Sequence, residues 1–241
     1  MHHITDEGVA LPANVVSRIA RADVPRRTAT LLSPEQIKTV ASVMRCLRPR
    51  YSIAVWLGAC AGLRKGELLG LKWEHVDLQR GLLTVQEQLQ FGRTAPLKSK
   101  ASYATLAMDY FLTDKLVEHL EEFPSPTQGG DPAGYVLTEA DGKPVSKGKL
   151  DGQWRRAVRD SGLPSCTRLT DLRVFYISTL ANSNNHSPKK VQKLARHAFM
   201  AHTWDLYALP PLADTMDRVS DFTIAFGEDD ESAVSGSVGL D

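Results

Sequence analysis

Residues 31–47, LLSPEQIKTVASVMRCL, open an apolar stretch behind a full set of helix-start signals. Ser33 stands at the N-cap, Pro34 at the first helical position, Gln36 closes a capping box, and Leu32 with Ile37 forms a hydrophobic staple. Residues 51–61 are apolar nearly all round, which predicts a buried helix, and Gly62 lets the chain turn into a short helix ending near Leu71. Residues 76–107 then change period. Val76, Leu78, Leu82, Leu83 and Val85 flank the turn-forming Gly81, and SYATLAMD alternates, so a small antiparallel sheet is expected from about residue 76 to 107.

Helical spacing returns in LTDKLVEHLEEF, with Leu116, Val117, Leu120 and Phe123 on one face. PSPTQGGDPAG reads as an exposed loop, and YVLTEADGKPV as a hairpin turning at Asp141-Gly142. QWRRAVRDSGL predicts a basic helix stopped by Gly162. RLTDLRVFYISTLANS predicts a mostly buried one, and SPKKVQKLARH begins with Ser187 and Pro188 in the same cap arrangement as Ser33 and Pro34. HTWDLYAL and LADTMDRVSDFTIAF supply the last helical segments. The fold class is mainly α with a small antiparallel β-sheet (α+β). Three segments are expected: a basic, Pro-broken linker or remnant over 1–30, one domain over 31–227, and a disordered acidic tail over 228–241.

Composition changes this picture little. The chain has 241 residues and is 42% hydrophobic, enough for one medium core. Cys46, Cys60 and Cys166 are odd in number and lack ligand-like spacing, so neither a disulfide framework nor a zinc site is indicated and a reducing, cytoplasmic setting is expected. No apolar run reaches the ~18 residues that span a bilayer, and the N-terminus lacks a secretory pattern, so no membrane partner is expected. Charge is more informative. The formal net charge of +1 includes a tail with five acids and no base; residues 1–227 carry 29 basic against 23 acidic residues. That surplus suits a polyanionic partner.

Taken singly, the candidate residues have plain explanations. Arg64 and Lys65 read as a solvated helix start, Glu67 as a structural partner of a nearby base, Lys98 as surface charge on a hairpin, and Tyr207 as a half-buried aromatic. His186 and His202 lack a ligand set, and Trp56, Trp73, Trp154 and Phe175 read as packing residues. Their order and contexts say more. GLRKGELLGLKWEHVDL, LKSKASYATLAM, LTDLRVFYISTLA and VQKLARHAFMAHTWDLYAL place Arg64, Lys98, Arg173, His197 and Tyr207 in an arrangement that resembles the catalytic domain of the tyrosine recombinases, the phage integrase family. The resemblance covers roughly residues 31–219.

The resemblance implies site-specific recombination of double-stranded DNA. Arg64 and Arg173 would clamp one phosphate, because guanidinium offers forked donors that stay charged at any relevant pH. Tyr207, with an unperturbed pKa near about 10, would become the nucleophile beside such cations and form a 3′-phosphotyrosyl link. Lys98 would protonate the departing 5′-oxygen, with Lys100 as an alternative carrier, and His197 would assist. Because the link conserves bond energy, no cofactor and no metal are implied. Homotetramers on two duplexes are implied, with C-terminal helices exchanged, here within residues 212–226.

The chain departs from the family pattern in places. Thr170 stands where a histidine usually precedes the second arginine, and it can donate a hydrogen bond without holding a proton near neutral pH. Arg196 replaces a glycine and offers a possible further phosphate contact. Ala104 replaces a hairpin arginine. Only roughly thirty residues precede the Ser33 helix, where the family carries a core-binding domain, so a catalytic-domain fragment or a shortened relative is expected. Two other readings stand beside recombination: a degenerate remnant that binds DNA weakly without cleaving, and a helical regulatory module with no DNA role.

Overall fold

In the computed structural model, the described residues are 3–4, 10–11, 29–90, 92–97, 103–182, 187–196 and 226. Two short strands, β1 (His3–Ile4) and β2 (Ala10–Leu11), pair antiparallel within the segment expected to be a linker.

Helix α1 (Pro34–Leu47) starts as its sequence predicts: the Ser33 hydroxyl accepts the Gln36 N–H at 3.3 Å, and the Gln36 side-chain oxygen accepts the Ser33 N–H at 2.9 Å. A 3-10 turn (Pro49–Tyr51) leads into α2 (Ile53–Cys60), in which every residue except Trp56 is buried. Helix α2 has no polar face, so it can be stable only when surrounded. It is surrounded: α1, α4 (Tyr110–Glu122) and α6 (Leu169–Asn182) all pack on it. Leu57, Leu112, Leu116 and Leu172 are fully enclosed there, each stabilising the fold by roughly 2 kcal/mol. Gly58 permits the close approach of α6, since a Cβ at that position would lie 2.9 Å from Leu172 Cδ1. This contact matters for chemistry because Leu172 precedes Arg173.

Helix α3 (Lys65–Gly70) follows the Gly62 turn and ends before a 3-10 turn at Trp73–His75. Strands β3 (Val76–Asp77), β4 (Leu82–Val85) and β7 (Ala104–Ala107) form a three-stranded antiparallel sheet in the order β3-β4-β7, with Leu83 opposite Leu106. Between them, β5 (Glu87–Gln90) and β6 (Arg93–Pro96) make a separate hairpin that packs on α3. The sheet lies where the alternating pattern placed it.

Three expectations need revision. On α4 the buried residues are Leu112, Leu116 and His119, while Val117, Leu120 and Phe123 are only part-buried, so the stripe keeps the predicted Leu116 but turns toward Leu112 and His119. The segment read as an exposed loop contains a miniature ladder, β8 (Thr127–Gln128) with β9 (Asp131–Pro132), closed by Gly129 and Gly130 at positive φ. The Asp141-Gly142 turn is present, but its arms meet only in a single bridge between Thr138 and Pro144. Helix α5 (Lys147–Asp160) and helix α7 (Pro188–Leu194) begin at Ser146 and Ser187 caps. The final predicted helices lie outside the described residues, apart from Phe226, whose ring sits against Trp56, Phe111 and Phe175. No disulfide joins Cys46, Cys60 and Cys166. Among the described residues no helix is long and apolar enough to cross a membrane.

Candidate functional site

The site begins at Gly62. Its φ of +57° is a left-handed conformation, and a Cβ there would strike the Tyr176 ring on α6, so glycine alone fits without strain. The turn presents the Gly62 carbonyl to two guanidiniums that arrive from far along the chain. Arg173 on α6 donates to it through Nη1, and Arg196, just past α7, donates to it through Nη2 at 2.7 Å. Arg173 Nη2 donates to the carbonyl of Ala195.

Arg64, two residues after Gly62, is the N-cap of α3. Its own N–H is accepted by Glu67 Oε2 at 2.9 Å, its Nη1 donates to Glu67 Oε1 at 2.8 Å, and its Nη2 donates to the Arg196 carbonyl at 2.9 Å. Arg196 Nη2 lies 3.2 Å from Glu67 Oε2. Glu67 is therefore the carboxylate that answers Arg64 and Arg196 together, while being almost wholly enclosed. The reading of Glu67 as a structural partner of a base agrees with this geometry.

Exposure separates the three cations. The Arg64 side chain is 40% exposed, that of Arg196 is 0% exposed, and Arg173 is buried. Burial and the nearby guanidiniums of Arg196 and Arg64 push the Arg173 pKa down to about 9. Arg196 is lowered as well, first by burial, against the opposing pull of Glu67. Both directions record the cost of holding cations out of water next to one another; guanidinium nonetheless stays protonated at neutral pH. An anion arriving at this cluster would relieve the repulsion.

Thr170, in the first turn of α6, precedes Arg173 by three residues and is exposed; that spacing puts both on one side of the helix. Arg196, expected to offer a phosphate contact, is instead turned inward onto Gly62 and Glu67. Lys98, His197 and Tyr207, together with Lys100, lie outside the described residues. A cleft of about 800 Å³ adjoins Arg64, bounded by Lys65 and Leu69 of α3, by Leu89 and Leu97 of the hairpin, and by the first turn of α5. Lys65 in its wall is bound to Asp151 on α5 at 2.7 Å. Sequence reasoning had no signal for the carbonyls of Gly62 and Ala195 as arginine acceptors, because any residue has a carbonyl.

A mainly helical domain with a small antiparallel sheet, in which arginines from the start of α3 and from α6 converge on the Gly62 turn, defines the class as α+β. The phage integrase family profile matches residues 31–210, and the chain belongs to that family. It is 41% identical over 69 residues to tyrosine recombinase XerA of Thermococcus kodakarensis, a match spanning 29% of this chain and 24% of that protein. Among solved structures it is similar to the Tn1549 transposon integrase in complex with transposon right end DNA, with a TM-score of 0.65 and 20% identity over 81% of this chain and 66% of that one. It is also similar to a XerA recombinase, with a TM-score of 0.60 and 19% identity over 79% and 62%. A lambda integrase dimer bound to a COC′ core site gives a TM-score of 0.58 and 18% identity over 77% and 62%. The chain thus spans under two thirds of these proteins' own length.

Proposed function

We propose that this chain is the catalytic part of a site-specific DNA recombinase that cleaves and rejoins strands through a 3′-phosphotyrosyl intermediate. The observation that carries the reading is the meeting of Arg64 and Arg173, 109 positions apart in sequence, at one turn. In this reaction the Tyr207 oxygen attacks phosphorus, the bond from phosphorus to the 5′-oxygen breaks, and Lys98 supplies the proton that the 5′-oxygen takes up; Lys100 is the alternative donor. Arg64 and Arg173 neutralise charge on the non-bridging oxygens. His197 hydrogen-bonds the phosphate or assists proton transfer at the phenol, and Thr170 donates a hydrogen bond from the first turn of α6. The free 5′-hydroxyl of another strand then reverses the chemistry, so the phosphodiester energy is conserved. The partner is double-stranded DNA, and the working assembly is a tetramer over two duplexes.

A nicked duplex carrying the target site tests this. A covalent protein–DNA adduct on a denaturing gel, absent in Tyr207→Phe, is the expected result; an adduct that persists in Tyr207→Phe removes that residue from its role. One observation favours a second reading, a DNA-binding remnant that does not cleave. Both terminal nitrogens of Arg173 are already occupied by backbone carbonyls in a buried setting. That reading predicts salt-sensitive DNA retention with no adduct under any condition.

A further inference from the structure

Among the described residues, Arg196 is the sole non-glycine at positive φ, with φ of 53°. Side chains rarely adopt this conformation, and such an outlier invites a functional explanation. Its guanidinium is also enclosed, and Nε and Nη1 find no acceptor among the described residues. Backbone and side chain are therefore both held in costly states. In return, the residue ties two remote turns together in both directions. Its Nη2 grips Gly62 and Glu67; its carbonyl is gripped by Arg64, and the carbonyl just before it by Arg173.

We propose that Arg196 is a positioning residue: a cross-brace that locks the Gly62–Arg64 turn to the Ala195–Arg196 turn and so aims Arg64 without touching the DNA phosphate itself. Direct contact is disfavoured by geometry, because the Arg196 side chain is 0% exposed and its Nη2 is committed to Gly62 and Glu67. A glycine at 196 would accept the left-handed φ and retain the carbonyl that Arg64 uses. It would leave Gly62 with one guanidinium donor and Glu67 with Arg64 alone. A lysine would bring a single point of charge with no rigid fork to span Gly62 and Glu67 together. The inference concerns the arginine cluster itself, and only its catalytic consequence rests on the recombinase reading.

The test uses Arg196→Gly and Arg196→Lys in the full chain. Arg196→Gly is expected to fold, with relief of the strained φ set against the loss of a fully buried side chain. Backbone amides of residues 62–67 should exchange at least tenfold faster, and adduct formation at saturating nicked DNA should slow at least tenfold while DNA affinity stays within threefold. Arg196→Lys should fall between parent and Arg196→Gly in both exchange and adduct rate. Unchanged exchange at 62–67 overturns the brace. A loss of DNA affinity as large as the loss of adduct rate also overturns it, by making Arg196 a direct phosphate contact. If the parent forms no adduct, the recombinase reading fails while the exchange result still decides the brace. If Arg196→Gly does not fold, Arg196→Lys is judged by the same measurements.

Discussion

Two kinds of charged neighbourhood lie side by side in this molecule. Around the cleft and the hairpins, cations are matched one to one: Lys65 with Asp151 at 2.7 Å, Lys72 with Glu87 at 2.7 Å, and Lys149 with Glu139 at 2.9 Å. At the Gly62 turn, Arg64 and Arg196 share a single carboxylate, Glu67, Arg173 donates to the Gly62 and Ala195 carbonyls, and Arg196 Nε and Nη1 find no acceptor among the described residues. Matched pairs at partly exposed positions are nearly neutral in energy. An unmatched buried cluster is not, and it persists only where packing over-determines it or where an anion completes it. The contrast separates paired surface charge from a cluster in which two buried guanidiniums lean on backbone carbonyls and one shared carboxylate.

The comparison breaks most visibly at Arg173. Arg173→Ala removes one arm of the proposed clamp and the tie between α6 and the Gly62 and Ala195 carbonyls. Adduct formation should fall on the order of a thousandfold, as for loss of a transition-state donor, measured by single-turnover gel assay on nicked DNA. Arg173→Lys should recover little of it, because an ammonium cannot fork between two carbonyls. A next-largest effect is expected at Glu67. Glu67→Gln strips the carboxylate shared by Arg64 and Arg196 and leaves buried cations uncompensated, so stability should drop by about 3 kcal/mol, read from the denaturant midpoint. A midpoint equal to the parent's would mean the carbonyls alone balance the cluster.

His119 supplies a smaller, pH-dependent contrast. It is a buried polar group of the matched kind: Nε2–H donates to the Val136 carbonyl at 3.0 Å, and burial chiefly holds its pKa below the ordinary value, toward the neutral ring. The unfolded chain then takes up a proton at higher pH than the folded one. Stability from this residue is present above the unfolded pKa of about 6.5 and declines as pH falls below it, by up to about 1.4 kcal/mol per pH unit. His119→Gln should flatten the melting temperature between pH 6.5 and 5 relative to the parent. The smallest effect belongs to the matched ion pairs. Asp151→Asn, which unpairs Lys65 at the cleft, should cost under about 1 kcal/mol. It should leave adduct formation close to the parent's, whereas a large loss there would show that the cleft wall belongs to the site.

Much of the architecture was legible before any coordinates. Ser33, Pro34 and Gln36 announced α1 because capping is a local transaction among residues three apart, and Gly62 announced its turn because a positive φ is a property of one residue. The strand pattern around Gly81 likewise marked the three-stranded sheet. The phase of α4 differs from the pattern because Val117 and Phe123 are as apolar as Leu112 and Leu116, and the packing of α4 on α2 decides which face is enclosed. The miniature ladder at residues 127–132 was missed because nothing in PSPTQGGDPAG alternates.

For the site, the chain's own order of residues determined which side chains were candidates: Arg64 and Arg173 stand in recognisable local contexts, and Arg196 in place of glycine was visible as an anomaly. Only the tertiary structure decided that Arg196 turns inward, that Glu67 serves two cations, and that the carbonyls of Gly62 and Ala195 are acceptors. The reason is physical. Residue type fixes what a group can donate or accept, but the partner of a buried charge is set by whichever remote backbone the packing of α2 against α6 and the exit of α7 bring within 3 Å.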